Sequence, residues 1–128
     1  MIVHVPVSVG ELLDKINILR LKQRHITDEK KLLNVMTELQ KLLLIVQELK
    51  LDQHEHYMHL MARLNSANSS LWHLEDRIRE LTTANNTGDE FIRTAQAIHR
   101  TNDQRMRVKG LINRTYNSAI IEEKSYKE

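Results

Sequence analysis

Cysteine is absent, which excludes disulfides, zinc–thiolate centres, iron–sulfur clusters and thiol catalysis. One proline and three glycines among 128 residues leave few places where a helix must stop. No glycine-rich phosphate loop is present, and the serines lie near histidines only by composition, so a hydrolase triad has no support. Aromatic residues are 4% of the chain, too few to stack the bases of a single strand. The longest aliphatic run, Leu42 to Val46, falls far short of the ~20 residues of a membrane span. The opening run MIVHVPVSVGE has no basic stretch and no cleavage pattern, so no signal peptide is expected and a cytoplasmic location is. Neither sign of charge dominates. Lys and Arg total 19 against 17 Asp and Glu, a formal charge of +2 despite a pI near 9.0, which is a weak basis for binding nucleic acid.

The chain has room for one domain, and its apolar spacing is helical. Residues 1–7 alternate aliphatic residues with His4 and Pro6 and read as a short extended arm; Pro6 biases Val5 away from helix. Ser8 then opens a helix over about 9–25, with Glu11 at the capping-box position. Val9, Leu12, Ile16 and Leu19 form its stripe, and Leu13, Ile18 and Leu21 widen it, so this helix is expected to be covered on more than one side. Asp14, Lys15 and Asn17 then lie close to buried surface. After Thr27 and Asp28, a second helix is predicted over about 28–50. Its Leu32, Val35, Leu39, Leu42, Val46 and Leu49 step by three and four. A third is predicted over 54–81, with the same stepping from Tyr57 to Leu81. The stretch TTANNTG from Thr82 to Gly88 is the best loop. A fourth helix is predicted over 89–116, and a charged tail over 117–128.

The expected architecture is all-α: a long antiparallel, coiled-coil-like hairpin of the second and third helices, flanked by the first and fourth. A narrow hairpin leaves apolar faces uncovered, so a homodimer is expected.

Four constellations carry possible chemistry. On the third helix, Met61, Asn65, Asn68, Trp72, Glu75 and Arg79 run parallel to the apolar seam, setting the single tryptophan among amides and charges. Asp76 lies beside them. The same pattern also fits a solvated flank. On the fourth helix, Asn102 and Lys109 occupy positions that Phe91, Ala95 and Ile98 mark as core. A buried Lys109 needs a partner, with Asp14, Glu75 or Asp76 as candidates. Either a polar pocket between the first, third and fourth helices or a structural salt-bridge network would account for this. His56 and His59, three apart near Glu55, have spacing that can hold a metal but lack the order of a metalloprotease motif, so no metal or other cofactor is expected. Arg100, Arg107 and Arg114 recur every seven residues and predict an exposed ridge that could meet phosphates, although a solvated face explains it more simply.

The runs VPVSVGELLDKINILRLKQRHI, LWHLEDRIRE, IHRTNDQRMRVKGLIN and EEKSY together resemble a small family of uncharacterised proteins of about this length. That resemblance spans essentially the whole chain. It implies an occurrence in phages, cyanobacterial phages among them, and in bacteria near surface-polysaccharide genes. It carries no activity. It does imply that Glu11, Asp14, Lys15, Glu75, Asp76, Asn102, Asp103, Lys109 and the Glu122–Tyr126 tail belong to recurrent motifs.

These observations predict a non-enzymatic interaction or ligand-binding protein, with a host protein as the expected partner if the chain is a phage product. The alternative is an enzyme acting on a sugar or phosphorylated metabolite, with Glu75 or Asp76 as acid/base, Lys109 and Arg79 holding an anion, Trp72 as a wall, and Mg²⁺ on the paired carboxylates as an option. A third reading is nucleic-acid binding through the arginine ridge.

Overall fold

The computed structural model describes residues 1–125; Tyr126, the end of the expected tail motif, lies outside the described residues. Among them are four α-helices and no strand: α1 (Val9–His25), α2 (Glu29–Glu48), α3 (Tyr57–Thr83) and α4 (Asp89–Thr115). The fold is all-α, as the spacing predicts.

Local chemistry sets the helix ends. Ser8 caps α1, its hydroxyl accepting from the Glu11 N–H at 3.0 Å. Asp28 caps α2 in the same way through Lys31. Asparagines in the left-handed region close α3 and α4: Asn85 has φ 56° and Asn117 φ 52°. After each, paired backbone bonds turn back into the last turn, Asn86 to Leu81 and Ser118 to Asn113, a Schellman closure. Lys50, at φ 55°, ends α2. A single 3₁₀ turn, Leu51–Gln53, follows, so α3 begins at Tyr57 rather than at His54.

The pairing of helices differs from the expectation. The long antiparallel hairpin is α3 with α4, joined across the TTANNTG loop. Arg77 of α3 braces it near the loop, its guanidinium spanning both carboxylate oxygens of Glu90 at 2.8 and 2.9 Å. The α2 backbone does not come within 8 Å of the α3 backbone, Cα to Cα; α2 packs closely on α1, joins α3 through the 3₁₀ turn and shares the central core with it. The physical reason is that heptad spacing marks a face for burial without naming the face that covers it. α1 touches all three other helices, which explains its wide apolar surface. Leu12, Leu13, Ile16 and Leu19 of α1 meet Val35, Leu39 and Val46 of α2, Leu60 and Leu64 of α3, and Val108 and Ile112 of α4 in one core. Tyr116, at the end of α4, donates its hydroxyl to the Leu51 carbonyl at 2.6 Å and fixes the connection between α2 and α3. The arm over residues 1–7 has no regular structure and exposes Ile2, Val3, Val5 and Val7.

Candidate functional site

A groove of about 370 Å³ opens between α1, α3 and α4. Ile18, Leu21 and Leu71 supply apolar lining, and Asn68, Trp72, Glu75, Asp76, Arg79, Asn102 and Arg105 supply aromatic and polar lining. The α3 residues arrive at steps of three and four, so one helix face presents them all. Asn102 and Arg105 come from α4 with the same step. The His25 ring stacks on Trp72 with centroids 4.7 Å apart and planes 19° off parallel, covering one face of the indole. Glu75 and Arg79 approach to 3.9 Å. No protein group among the described residues bonds the Asn102 side-chain amide. The Arg105 Nε–H is buried and has no partner, alone in this among the described residues. A buried donor without an acceptor is costly, and this one belongs to a residue that lines an open groove.

Behind the groove lies a buried polar network. Asn68 donates one amide to two acceptors, Asp14 Oδ1 and Asn17 Oδ1, both at 2.8 Å. Asn17 in turn donates to Asn65 at 3.3 Å. The Arg105 guanidinium lies 3.7 Å from Asp14 Oδ2. Lys109 brings its ammonium to 2.6 Å from Glu11, 3.9 Å from Asp14 and 4.0 Å from Glu122. Asn113 links the two chain ends, accepting from the Gly10 N–H at 2.7 Å and donating to Glu122 at 3.0 Å. The Ser8 hydroxyl also donates to Glu122. The expected capping box is therefore half formed: Ser8 caps the helix, while the Glu11 carboxylate takes Lys109.

Glu122 sits between opposing influences. Partial burial pushes its carboxyl up, but the Ser8 hydroxyl, its own backbone N–H, the Asn113 amide and the Lys109 charge together hold it below the usual carboxylate range. A depressed folded value means stabilisation that is complete above the unfolded pKa and lost as pH falls through the folded one. The wild-type chain should accordingly melt a few degrees above a Glu122→Gln variant at neutral pH, the gap closing once the pH drops below the ordinary carboxylate range. A gap that persists in strong acid would show that the charge of Glu122 does not hold the tail.

Not every residue expected in the pocket is there. Asn68, Trp72, Glu75, Asp76, Arg79 and Asn102 line the groove together, and Asp14 sits beneath it through Asn68 and Arg105. Lys15 does not; it is exposed and pairs with Glu38 of α2 at 3.0 Å, because its position on α1 turns it toward α2. Lys109 lies inside the network rather than on the groove lining, and its nearest partner is Glu11, not Glu75 or Asp76. Asp103 is half-buried and faces Lys124 at 3.5 Å. Arg100, Arg107 and Arg114 are exposed, as a ridge requires. Arg107 and Arg114 border a second groove, of about 570 Å³, with Arg63. His56 faces His54 and Glu55, His59 is exposed, and no group of three or more potential ligands suited to a metal occurs among the described residues. No helix among the described residues is long and apolar enough to cross a membrane. Sequence reasoning missed Arg105, Asn113 and the Ser8–Glu122 contact as parts of the arrangement. Arg105 sits three residues after Asn102 on the same face, which was the available signal; the others depend on where the chain ends meet.

No curated protein and no solved structure matches this chain. Residues 3–128 match the family of unknown function DUF6165, and with that match spanning almost its entire length the chain belongs to that family.

Proposed function

We propose that this protein is a small helical binding protein whose ligand occupies the groove between α1, α3 and α4. The observation that carries this reading is Arg105, whose buried Nε–H lacks a partner and which lines a groove that also presents an unbonded amide, Asn102, and an aromatic wall, Trp72. Such a surface suits a small polar molecule with a flat face for the indole and an anionic or carbonyl edge for the guanidinium. In the phage setting that the sequence resemblance implies, that molecule would come from the host. The enzyme reading is weaker because, of the two cations assigned to hold its substrate, Lys109 is spent on Glu11 and Arg79 lies beside Glu75, the carboxylate assigned as acid/base.

Trp72 is the only tryptophan, so its fluorescence reports on the groove. Titration with sugars, nucleotides and phosphorylated metabolites is expected to yield at least one saturable change in emission accompanied by a rise in melting temperature. Asn102→Ala should weaken that ligand about fivefold, the loss of roughly one hydrogen bond, whereas Arg100→Ala should not. A response that survives Asn102→Ala unchanged, or no response across the panel, would overturn the assignment.

A further inference from the structure

The second groove lies between α3, α4 and the tail, and its lining shares no residue with the groove that Trp72 lines. Three arginines border it, Arg63 from α3 and Arg107 and Arg114 from α4. All three are exposed, and none pairs with a carboxylate among the described residues. Arg77, Arg79 and Arg105, by contrast, each lie within 3.9 Å of an acidic side chain. Lys124 borders the groove too but is engaged by Asp103. Of the two carboxylates there, Glu122 is held by Ser8, Asn113 and Lys109, and Glu123 is exposed. Met106 and Leu111 supply apolar lining, and walls of low dielectric strengthen the field of charges gathered in a cleft. Gly110 stands between Arg107 and Arg114 on one face of α4, at steps of three and four. Helix interiors disfavour glycine, and neither backbone nor packing requires one here. Its φ is not positive, and a Cβ would meet nothing nearer than Arg114 Nη1 at 3.5 Å. What the bare helix surface provides is room beside the Arg114 guanidinium.

We propose that this groove binds a phosphorylated small molecule, its phosphoryl oxygens held by Arg63, Arg107 and Arg114. A guanidinium fork matches both carboxylate and phosphate. A carboxylate is planar, however, and one fork satisfies it. A phosphoryl group points its oxygens in several directions and can be met from two helices at once. Its negative charge also offsets the mutual repulsion of three cations that the fold leaves unpaired. The arrangement favours such a ligand over a nucleic acid. A strand needs phosphate contacts strung along a track, which a ridge of Arg100, Arg107 and Arg114 would supply. The structure divides that ridge: Arg100 is absent from the lining, while Arg63, on the neighbouring helix, is part of it. The charges are gathered around a cavity rather than drawn out in a line.

Inorganic pyrophosphate is the probe, titrated by calorimetry at a constant ionic strength of about 0.1 M, where attraction between distant exposed charges is screened. It is expected to bind saturably with a dissociation constant below about 1 mM. Arg63→Gln and Arg114→Gln should each weaken it about tenfold. Arg63→Lys, which keeps the charge and loses the fork, should weaken it by a smaller factor. Arg100→Gln should leave it unchanged. Gly110→Leu should weaken it with no change of charge, because its side chain occupies the space beside Arg114. Binding should persist in Asn102→Ala, which alters only the other groove. The three arginines have no protein partner to lose, so their variants should melt at the wild-type temperature; they test the proposal even if Gly110→Leu fails to fold. A dissociation constant above about 1 mM, equal losses from Arg63→Gln and Arg100→Gln, or a loss of binding in Asn102→Ala would each overturn the proposal. So would a DNA duplex that binds more tightly than pyrophosphate and depends on Arg100.

Discussion

Replacing Lys109 with methionine is expected to lower the melting temperature by about 10 °C, corresponding to a loss of roughly 3 kcal/mol. Methionine preserves most of the stem's packing and deletes the charge. The side chain of Lys109 is only 8% exposed, and its ammonium is the cation on which Glu11, Asp14 and Glu122 converge. Without it those carboxylates repel one another, and Asp14 is left buried away from water, whereas the Glu11 and Glu122 side chains are 42% and 31% exposed. Asp14, at 4% side-chain exposure, keeps only Asn68 and the more distant Arg105. Breaking a buried pair by removing one partner costs far more than the intact pair contributes, because the remaining charge keeps its desolvation penalty. Adding Glu11→Gln to the variant should recover part of the loss, since it removes one of the stranded charges. Thermal melts of the two single variants and the double variant test this. A Lys109→Met chain that melts within about 2 °C of wild type, well under 1 kcal/mol on the same scale, would mean that water reaches the network freely.

The same exchange, glycine to alanine, should have opposite signs at two positions in the helices. In an exposed helix interior it gains about 1 kcal/mol. At Gly10 a Cβ would stand 2.7 Å from the backbone oxygen of Lys109 and 2.9 Å from Asn113 Oδ1. Neither can yield easily, since one is helix backbone and the other is held by the Gly10 N–H and by Glu122. α1 would have to move away from α4, breaking the Asn113 link and loosening the tail. The expected outcome is a net loss of about 2 kcal/mol despite the better helix propensity. At Gly110 a Cβ meets nothing closer than the Arg114 guanidinium at 3.5 Å, an ordinary contact. Gly110→Ala should thus be neutral or stabilising by up to ~1 kcal/mol. Chemical denaturation of both variants reads the difference. Equal effects would show that α1 and α4 are not held as closely at Gly10 as the geometry indicates.

Both predictions concern the contact between α1 and α4, which is where the sequence was least legible. The periodicity identified Asn102 and Lys109 as polar residues in core positions, and the need for a partner followed from electrostatics. The partner itself did not follow. Glu11 had a sufficient local explanation as a capping-box residue, and nothing in the spacing distinguishes a glutamate that folds back on its own helix from one that reaches across to another. Lys15 illustrates the converse: it neighbours Asp14 in sequence, but one residue is 100° of helix rotation, enough to send it to Glu38 and the solvent.

What the sequence determined by itself is local. The heptad stepping, the caps at Ser8 and Asp28, and the TTANNTG loop placed four helices to within about three residues at each end, because each depends on groups a few positions apart. The shared face of Asn68, Trp72, Glu75 and Arg79 was legible for the same reason: it is a property of a single helix. Which helix covers which seam, and which charges meet, was decided only by the tertiary structure. α2 and α3 carry equivalent seams and are joined by a short turn, yet α1 is broad enough to take both, and the hairpin forms between α3 and α4 instead. Seams of equal spacing are interchangeable in sequence. They become distinct when side-chain volumes must fill one core and when every buried charge must find its counterpart.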